Sequence, residues 1–350
     1  MLFRLEKYKM IKSKKFFKNK SLLITGGTGS LGNAIIDYVV KHKIDFKRII
    51  IFSRDELKQY NLREKLNKKI LDKIRFFIGD IRDKERLSFA LQNIDIVIHA
   101  AALKQVPASE YNPFEFIKTN ILGAQNLVDA CLQNNVTNVV ALSTDKASSP
   151  VNLYGATKLC SDKIFTSAQN MIGKKKITFS VVRYGNVFGS RGSVWPKFKS
   201  LKSNETFPVT HPKMTRFNIS LNQSVELILN SLLMQKGGEI FVPKLASYRL
   251  LDLCKAIDKN RKIKFTGIRP GEKIHEELIS ISESRLTIER NNFFIILPAN
   301  KKTPEISLNY NLKKIKFPKK DFIYNSGSNK NFLSILQLKK IIKNYEDQVN

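Results

Sequence analysis

Six apolar segments rich in β-branched residues alternate with helical stretches between residues 21 and 185, and a glycine turn follows the first of them. This pattern predicts an α/β fold: a doubly wound parallel sheet covered on both faces, with a smaller C-terminal region that binds substrate. Strands are expected at 21–25, 48–52, 74–78, 95–101, 137–143 and 178–183. Helices are expected near 31–42, 56–68, 83–92, 112–134 and 153–171.

The first strand, Ser21-Leu22-Leu23-Ile24-Thr25, runs straight into Gly26-Gly27-Thr28-Gly29-Ser30-Leu31-Gly32, and Ala34, Ile35, Tyr38, Val39 and Val40 then supply helical apolar spacing. Strand, glycine turn and helix in that order form the Rossmann-type dinucleotide fingerprint. Gly26 permits the tight turn, Gly29 lets the backbone approach a pyrophosphate, and Gly32 lets the helix pack on the strand. Ser30 and Leu31 lie at the helix N-terminus, where unpaired N–H groups face phosphates.

The second strand ends in Ser53-Arg54-Asp55-Glu56-Leu57-Lys58. NAD-binding folds place an acidic residue at this strand end to hold the ribose 2′-hydroxyl. Here a hydroxyl and two cations suit a 2′-phosphate, so the expected cofactor is NADP, with Asp55 capping the next helix. Asp80 and Ile81 end the third strand beside the expected adenine, and Ala100-Ala101-Ala102 ends the fourth with side chains small enough to admit a nicotinamide ribose. Leu142, Ser143 and Val187 complete the expected cofactor contacts.

The fifth strand leads into Ser143-Thr144-Asp145-Lys146, and Tyr154 and Lys158 follow at i, i+4 on one helical face. A cation beside the phenol favours phenolate and is expected to lower the Tyr154 pKa from about 10. Such a tyrosine can take a proton from a sugar hydroxyl while a hydride leaves the carbon. Asp145 and Lys146 add an acid and a base at a parallel strand end, where such sheets bind ligands.

After residue 185, prolines punctuate shorter elements, with helices expected at Leu221–Met234 and Leu250–Ile257, a strand at Glu239–Val242, and a last amphipathic helix at Phe332–Tyr345. The domains expected are a basic leader at 1–20, a cofactor domain at 21–187, and a mainly substrate-binding region at 188–350 with some segments returning to the first domain. Nothing before Leu22 carries a motif, and Met10 is a plausible initiator.

Composition narrows the function. The 61 Lys and Arg against 30 Asp and Glu leave +31, but no RNP-type motif, zinc knuckle or helix-turn-helix signal accompanies the charge, so nucleic acid is not the expected partner. A positive field does favour a diphosphate substrate and NADP. Three scattered cysteines fit a reducing cytoplasmic setting, four histidines without ligand spacing predict no metal, and no apolar run approaches the roughly 18 residues of a membrane span.

With these residues placed, the chain resembles an extended short-chain dehydrogenase/reductase, and within it the configuration-inverting UDP-N-acetylglucosamine 4,6-dehydratase family of the pseudaminic acid pathway. The resemblance runs from about residue 20 to the C-terminus and rests on TGGTGSLG, FSRDELKQ, HAAALKQVPASEYNPFE, ALSTDKA, YGATK, RYGNVFGSRGSV, KMTRF and GIRPGEKIHE. It implies UDP-GlcNAc as substrate, a homo-oligomer, an Asp-Lys catalytic pair at Asp145 and Lys146 and a Tyr-Lys redox pair at Tyr154 and Lys158. As the base that takes the C5 proton, Lys146 is expected to be neutral, its pKa lowered from about 10.4 by burial or a nearby cation. Retaining dehydratases usually carry Asp-Glu where Asp145-Lys146 stands, so the lysine points to the inverting branch. Related capsule and lipopolysaccharide enzymes commonly show Met where Tyr154 stands. Lys104, Asn186, Arg191, Gly192, Ser193, Val194, Thr210, Arg269 and Tyr324 are the expected substrate contacts, the arginines by bidentate phosphate binding. Asn218 departs from the pattern, where an aromatic residue is expected. The nearest rival is a UDP-sugar C4-epimerase, which shares the tyrosine and lysine but needs no Asp-Lys pair. A redox-sensing protein that binds NADP without turnover would typically have lost the Tyr or Lys that this chain keeps.

Overall fold

The computed structural model describes residues 14–190, 192–299 and 316–349. The six expected strands form as β1 (Ser21–Thr25), β2 (Arg48–Ser53), β3 (Ile74–Ile78), β4 (Ile96–His99), β5 (Asn138–Thr144) and β6 (Thr178–Tyr184), each parallel to its neighbours. Their order is β3-β2-β1-β4-β5-β6. The chain reverses its winding between β1 and β4, and ligands of such sheets bind outside the strand C-termini at that point. Beyond β6 the sheet continues with Glu239–Pro243, parallel, then Phe293–Ile296 and Thr287–Glu289, both antiparallel. Every residue of β1 is buried, as a strand covered on both faces must be.

Two departures from the expected elements have physical causes. Strand β4 stops at His99 instead of 101: Ala100 and Ala101 turn their N–H groups to the Thr25 hydroxyl at 3.2 and 3.3 Å. The expected helix at 112–134 is three pieces, Pro113–Phe116, a π-helical stretch Ile117–Leu122, and Gly123–Gln133. A π turn carries one residue more than an α turn, is rare, and occurs frequently at functional sites.

The C-terminal region builds a second apolar cluster around Trp195, Phe198, Phe207, Tyr248 and Leu253. A three-stranded sheet of Ala246–Arg249, Thr215–Ile219 and Asn186–Val187 stands beside the strand ends of the main sheet. Asn218 pairs in register with Asn186 and Ala246 there, and its side-chain oxygen is buried without a partner.

The leader does not end at residue 20. Residues 14–17 are helical, and Phe17 is fully buried against Phe46, their ring centroids 5.2 Å apart. Residues 1–13 lie outside the described residues. A chain starting at Met10 retains Phe17 and should keep full turnover, while one starting at Ser21 should melt at lower temperature because it loses a buried aromatic. Thermal unfolding of the two truncations checks this.

Candidate active site

A cleft of about 1520 Å³ opens over the C-terminal ends of β1, β2, β4, β5 and β6. Drug-sized ligand pockets usually hold roughly 300–1,000 Å³, so there is space here for two ligands side by side.

One half is a glycine cradle. Gly26 has φ +64°, and a Cβ there would stand 2.8 Å from the Ala101 nitrogen, so the turn and the β4 loop can only meet at a glycine. A Cβ on Gly32 would fall 2.1 Å from the Gly27 carbonyl oxygen, so what crowds it is the turn rather than the strand. Helix Ser30–Lys41 starts from Gly29 without a side-chain cap, leaving backbone N–H groups for an anion. Gly26, Gly29, Ser30, Leu31, Gly32, Ser53, Arg54, Asp55, Lys58, Ile81, Ala100, Leu142, Ser143 and Val187 all line the cleft.

Around the β2 end, Asp55 caps helix Glu56–Glu64 by accepting from the Lys58 N–H at 2.9 Å, as the sequence suggested, and its carboxylate also holds the Lys58 ammonium. Gln59 donates to the Ser53 hydroxyl at 3.1 Å, and Arg54 faces Asp80 at 3.5 Å. Arg82 binds both Asp80 oxygens and holds that carboxyl below the usual range despite partial burial. Glu56, Leu57 and Asp80 are not among the lining residues, and Leu57 points to solvent.

The other half carries the ionisable groups. Lys146 donates to Asp145 Oδ1 at 3.1 Å and to Glu276 Oε1 at 2.9 Å. The Thr144 hydroxyl donates to the same Asp145 oxygen at 3.0 Å. Tyr154 and Lys158 lie on helix Leu153–Ala168, whose start is fixed by the Asn152 side chain accepting from the Gly155 N–H at 2.8 Å. Gly155 sets the spacing between the two groups: a Cβ there would stand 2.3 Å from the Lys146 carbonyl oxygen. Asn120, in the π stretch, bonds both backbone groups of Leu103 at 2.9 Å and donates to the Thr157 hydroxyl at 3.0 Å, tying the β4 loop to this helix.

Two electrostatic expectations are reversed. Burial pushes the Tyr154 phenol up to about 12; the cation that opposes this is Lys146, helped by a hydrogen bond with Thr144. Lys158, itself pulled down by burial, has Asp162 as counter-charge. Burial also pulls Lys146 down, but Asp145 and Glu276 outweigh it, and the net shift is up. A neutral Lys146 is therefore not its resting state. Asp145 is raised, chiefly by burial.

Of the expected substrate contacts, Lys104, Asn186, Gly192, Ser193, Val194 and Arg269 line the cleft, while Arg191 lies outside the described residues. Thr210 and Tyr324 are not among the lining residues. Thr210 is buried with its hydroxyl on the Met214 sulfur at 3.3 Å, and the Tyr324 hydroxyl donates to the Leu245 carbonyl and accepts from its N–H. Thr119 Oγ1, Asp145 Oδ2, Asn186 Oδ1, Ser193 Oγ and Glu276 Oε2 belong to lining residues, yet each is buried without a hydrogen-bond partner. Five such orphans in one cleft fit a polar ligand. The sequence reading missed Thr144, Arg216 and Glu276 as members of the site, although ALSTDKA, KMTRF and GIRPGEKIHE contain them.

A family model described as polysaccharide biosynthesis protein matches residues 22–298. A Campylobacter jejuni protein named UDP-N-acetylglucosamine 4,6-dehydratase (inverting) is 49% identical over 335 residues, 94% of this chain and 99% of its own. A Rickettsia bellii protein named UDP-glucose 4-epimerase is 44% identical over 287 residues, 80% of this chain and 83% of its own. The crystal structure of Pen from Bacillus thuringiensis is 39% identical, covering 94% of this chain and 99% of that one, with a TM-score of 0.83.

Proposed function

The chain belongs to the polysaccharide biosynthesis protein family, and from that premise we propose that it is a UDP-N-acetylglucosamine 4,6-dehydratase that inverts C5, the first step toward pseudaminic acid. The observation that carries the reading is the hydrogen-bonded Asp145–Lys146 pair in the same cleft as Tyr154, Lys158 and the glycine cradle. An epimerase needs only the last three. NADP fits the cradle: Gly29 and the uncapped helix start behind it would take the pyrophosphate, Ser53 and Arg54 the 2′-phosphate, and the small residues from Ala100 the nicotinamide end. Bound there, the cofactor supplies hydride acceptance and return within one turnover.

The chain's own residues move the protons. Tyr154 takes the C4 hydroxyl proton, the Lys146 ammonium is the cation that favours its phenolate, and Lys158 would hold the cofactor ribose. Lys146 removes the C5 proton acidified by the 4-keto group, and Asp145 protonates the departing C6 hydroxyl. The pair is proposed to start with its shared proton on Lys146, the direction in which its two carboxylate neighbours shift it. Passing one proton along their 3.1 Å hydrogen bond makes the general base and the general acid together. Burial favours that neutral form over the charged one. Reprotonation of C5 on the opposite face inverts the centre.

The Rickettsia relative's name favours an epimerase as second reading. Incubation with UDP-GlcNAc and NMR of the product separates the two: the proposal expects a 4-keto-6-deoxy sugar inverted at C5, the rival a C4 epimer with its 6-hydroxyl intact. NADP⁺ should bind more tightly than NAD⁺, and Arg54→Ala should cost about 1.5–3 kcal/mol of NADP⁺ affinity. Titration of both cofactors checks it, and equal affinities in the wild type would refute the assignment.

A further inference from the structure

Glu276 belongs to a motif that the proposed roles leave unused. It comes from the segment before strand Glu277–Ile279, far along the chain from Lys146, and is 2% exposed. Its backbone is pinned on both sides by Ser326: the Glu276 N–H donates to Ser326 Oγ at 2.9 Å, and its carbonyl accepts the Ser326 N–H at 2.8 Å. Oε1 receives Lys146 at 2.9 Å and faces Arg216 Nε at 3.6 Å, while Oε2 is buried without a partner in a residue that lines the cleft. Its carboxylate therefore stands between two cations, Lys146 and Arg216.

We propose that Glu276 is a positioning residue that fixes the Asp145–Lys146 pair and decides how firmly those two groups share their proton. The inference rests on the reading of Asp145 and Lys146 as the acid–base pair. The charged and titratable groups facing Lys146 are Asp145 on its own turn, Glu276 and Lys273 from the segment before Glu277, Arg216 from strand Thr215–Ile219, Tyr154 from its helix and Tyr248 from strand Ala246–Arg249. Of these, Glu276 is the anion that holds protons on both members of the pair, raising Lys146 and Asp145 together.

The active form of the pair carries one proton between two groups, so activity should rise as the first proton leaves and fall as the last does. These limbs belong to the pair and not to either residue. Glu276→Gln keeps an oxygen for Lys146 but removes the charge, so both limbs should move to lower pH, by about one unit or more. Glu276→Asp keeps the charge but withdraws it by one methylene, so its limbs should stay near the wild-type positions while the rate falls.

The measurement is the pH dependence of C5 deuterium exchange from D₂O with UDP-GlcNAc, beside NADP⁺ titration of each variant. Unmoved limbs in Glu276→Gln would overturn the proposal. So would loss of cofactor binding in both variants, which would make Glu276 a folding residue. A Glu276→Gln variant that binds cofactor but exchanges at no pH would overturn it too, by giving Glu276 a direct reaction with substrate. Lys146→Ala serves as the control: wild-type exchange there defeats the acid–base pair itself, whereas a dead Lys146→Ala beside unmoved limbs defeats only the role of Glu276.

Discussion

Lys146→Ala should lose turnover by roughly 10²–10⁴-fold, the contribution of a positioned general base, while still oxidising C4. Tyr154, Lys158 and the glycine cradle remain in place, so the first half of the reaction keeps its base and cofactor site and loses only the Lys146 charge that favours the phenolate, which should slow it. The second half does not, because among the described residues only Lys146 pairs with both Asp145 and Glu276. In D₂O with UDP-GlcNAc the wild type should place deuterium at C5 and release the inverted product. The variant should show reduced cofactor but little exchange. Tyr154→Phe should stall earlier, with neither. If the Lys146 variant exchanges at the wild-type rate, or the wild-type product keeps its C5 configuration, the inverting assignment fails.

Arg183→Met should cost the fold about 3–5 kcal/mol, the range for stripping one partner from a buried ion pair. Arg183 is fully buried at the end of β6. It reaches Asp162 at 3.1 Å on the helix that carries Tyr154, and both oxygens of Glu283 at 2.9 Å. Asp162 also accepts the Ser143 hydroxyl at 2.7 Å at the end of β5. Removing the guanidinium leaves two carboxylates in the interior. Replacing all three charges by apolar residues should recover much of the loss, because the desolvation cost goes with them. Denaturant unfolding of the single and triple variants tests both statements, and a single-variant loss below about 1 kcal/mol would show the network to be slack.

The parallel sheet was legible because β1, β2, β4, β5 and β6 are continuous apolar runs, and a strand covered on both faces has no other pattern. The glycine cradle was legible for a related reason: a positive φ and close backbone approach leave a mark in residue type, as at Gly26. Asp145, Lys146, Tyr154 and Lys158 lie within fourteen positions, so one strand end and one helix turn bring them together. Glu276 and Arg216 come from later segments and meet Lys146 only through the tertiary fold, which spacing cannot reveal. Protonation was misjudged for the same reason. Local order suggested a cation beside the phenol, but the sign at Tyr154 and at Lys146 is set by burial and by carboxylates delivered from elsewhere. Tyr324 was misplaced because a buried aromatic hydroxyl can be satisfied by a backbone, here that of Leu245.

The surplus residue in the π stretch Ile117–Leu122 makes this region one deletion away from regularity. Excising Lys118 would let residues 113–133 close into an unbroken α-helix, the intrinsically better conformer. It would also turn the flanking segments by about 100° relative to each other and swing Asn120 off Leu103 and Thr157. Tolerance to length change and tolerance to loss of catalysis should therefore diverge sharply at these six positions. In a deletion library sorted first for solubility and then for turnover, shortened helices should survive the first sort and vanish in the second. The irregularity would then read as a retained expense of function, invisible to any selection that rewards folding alone.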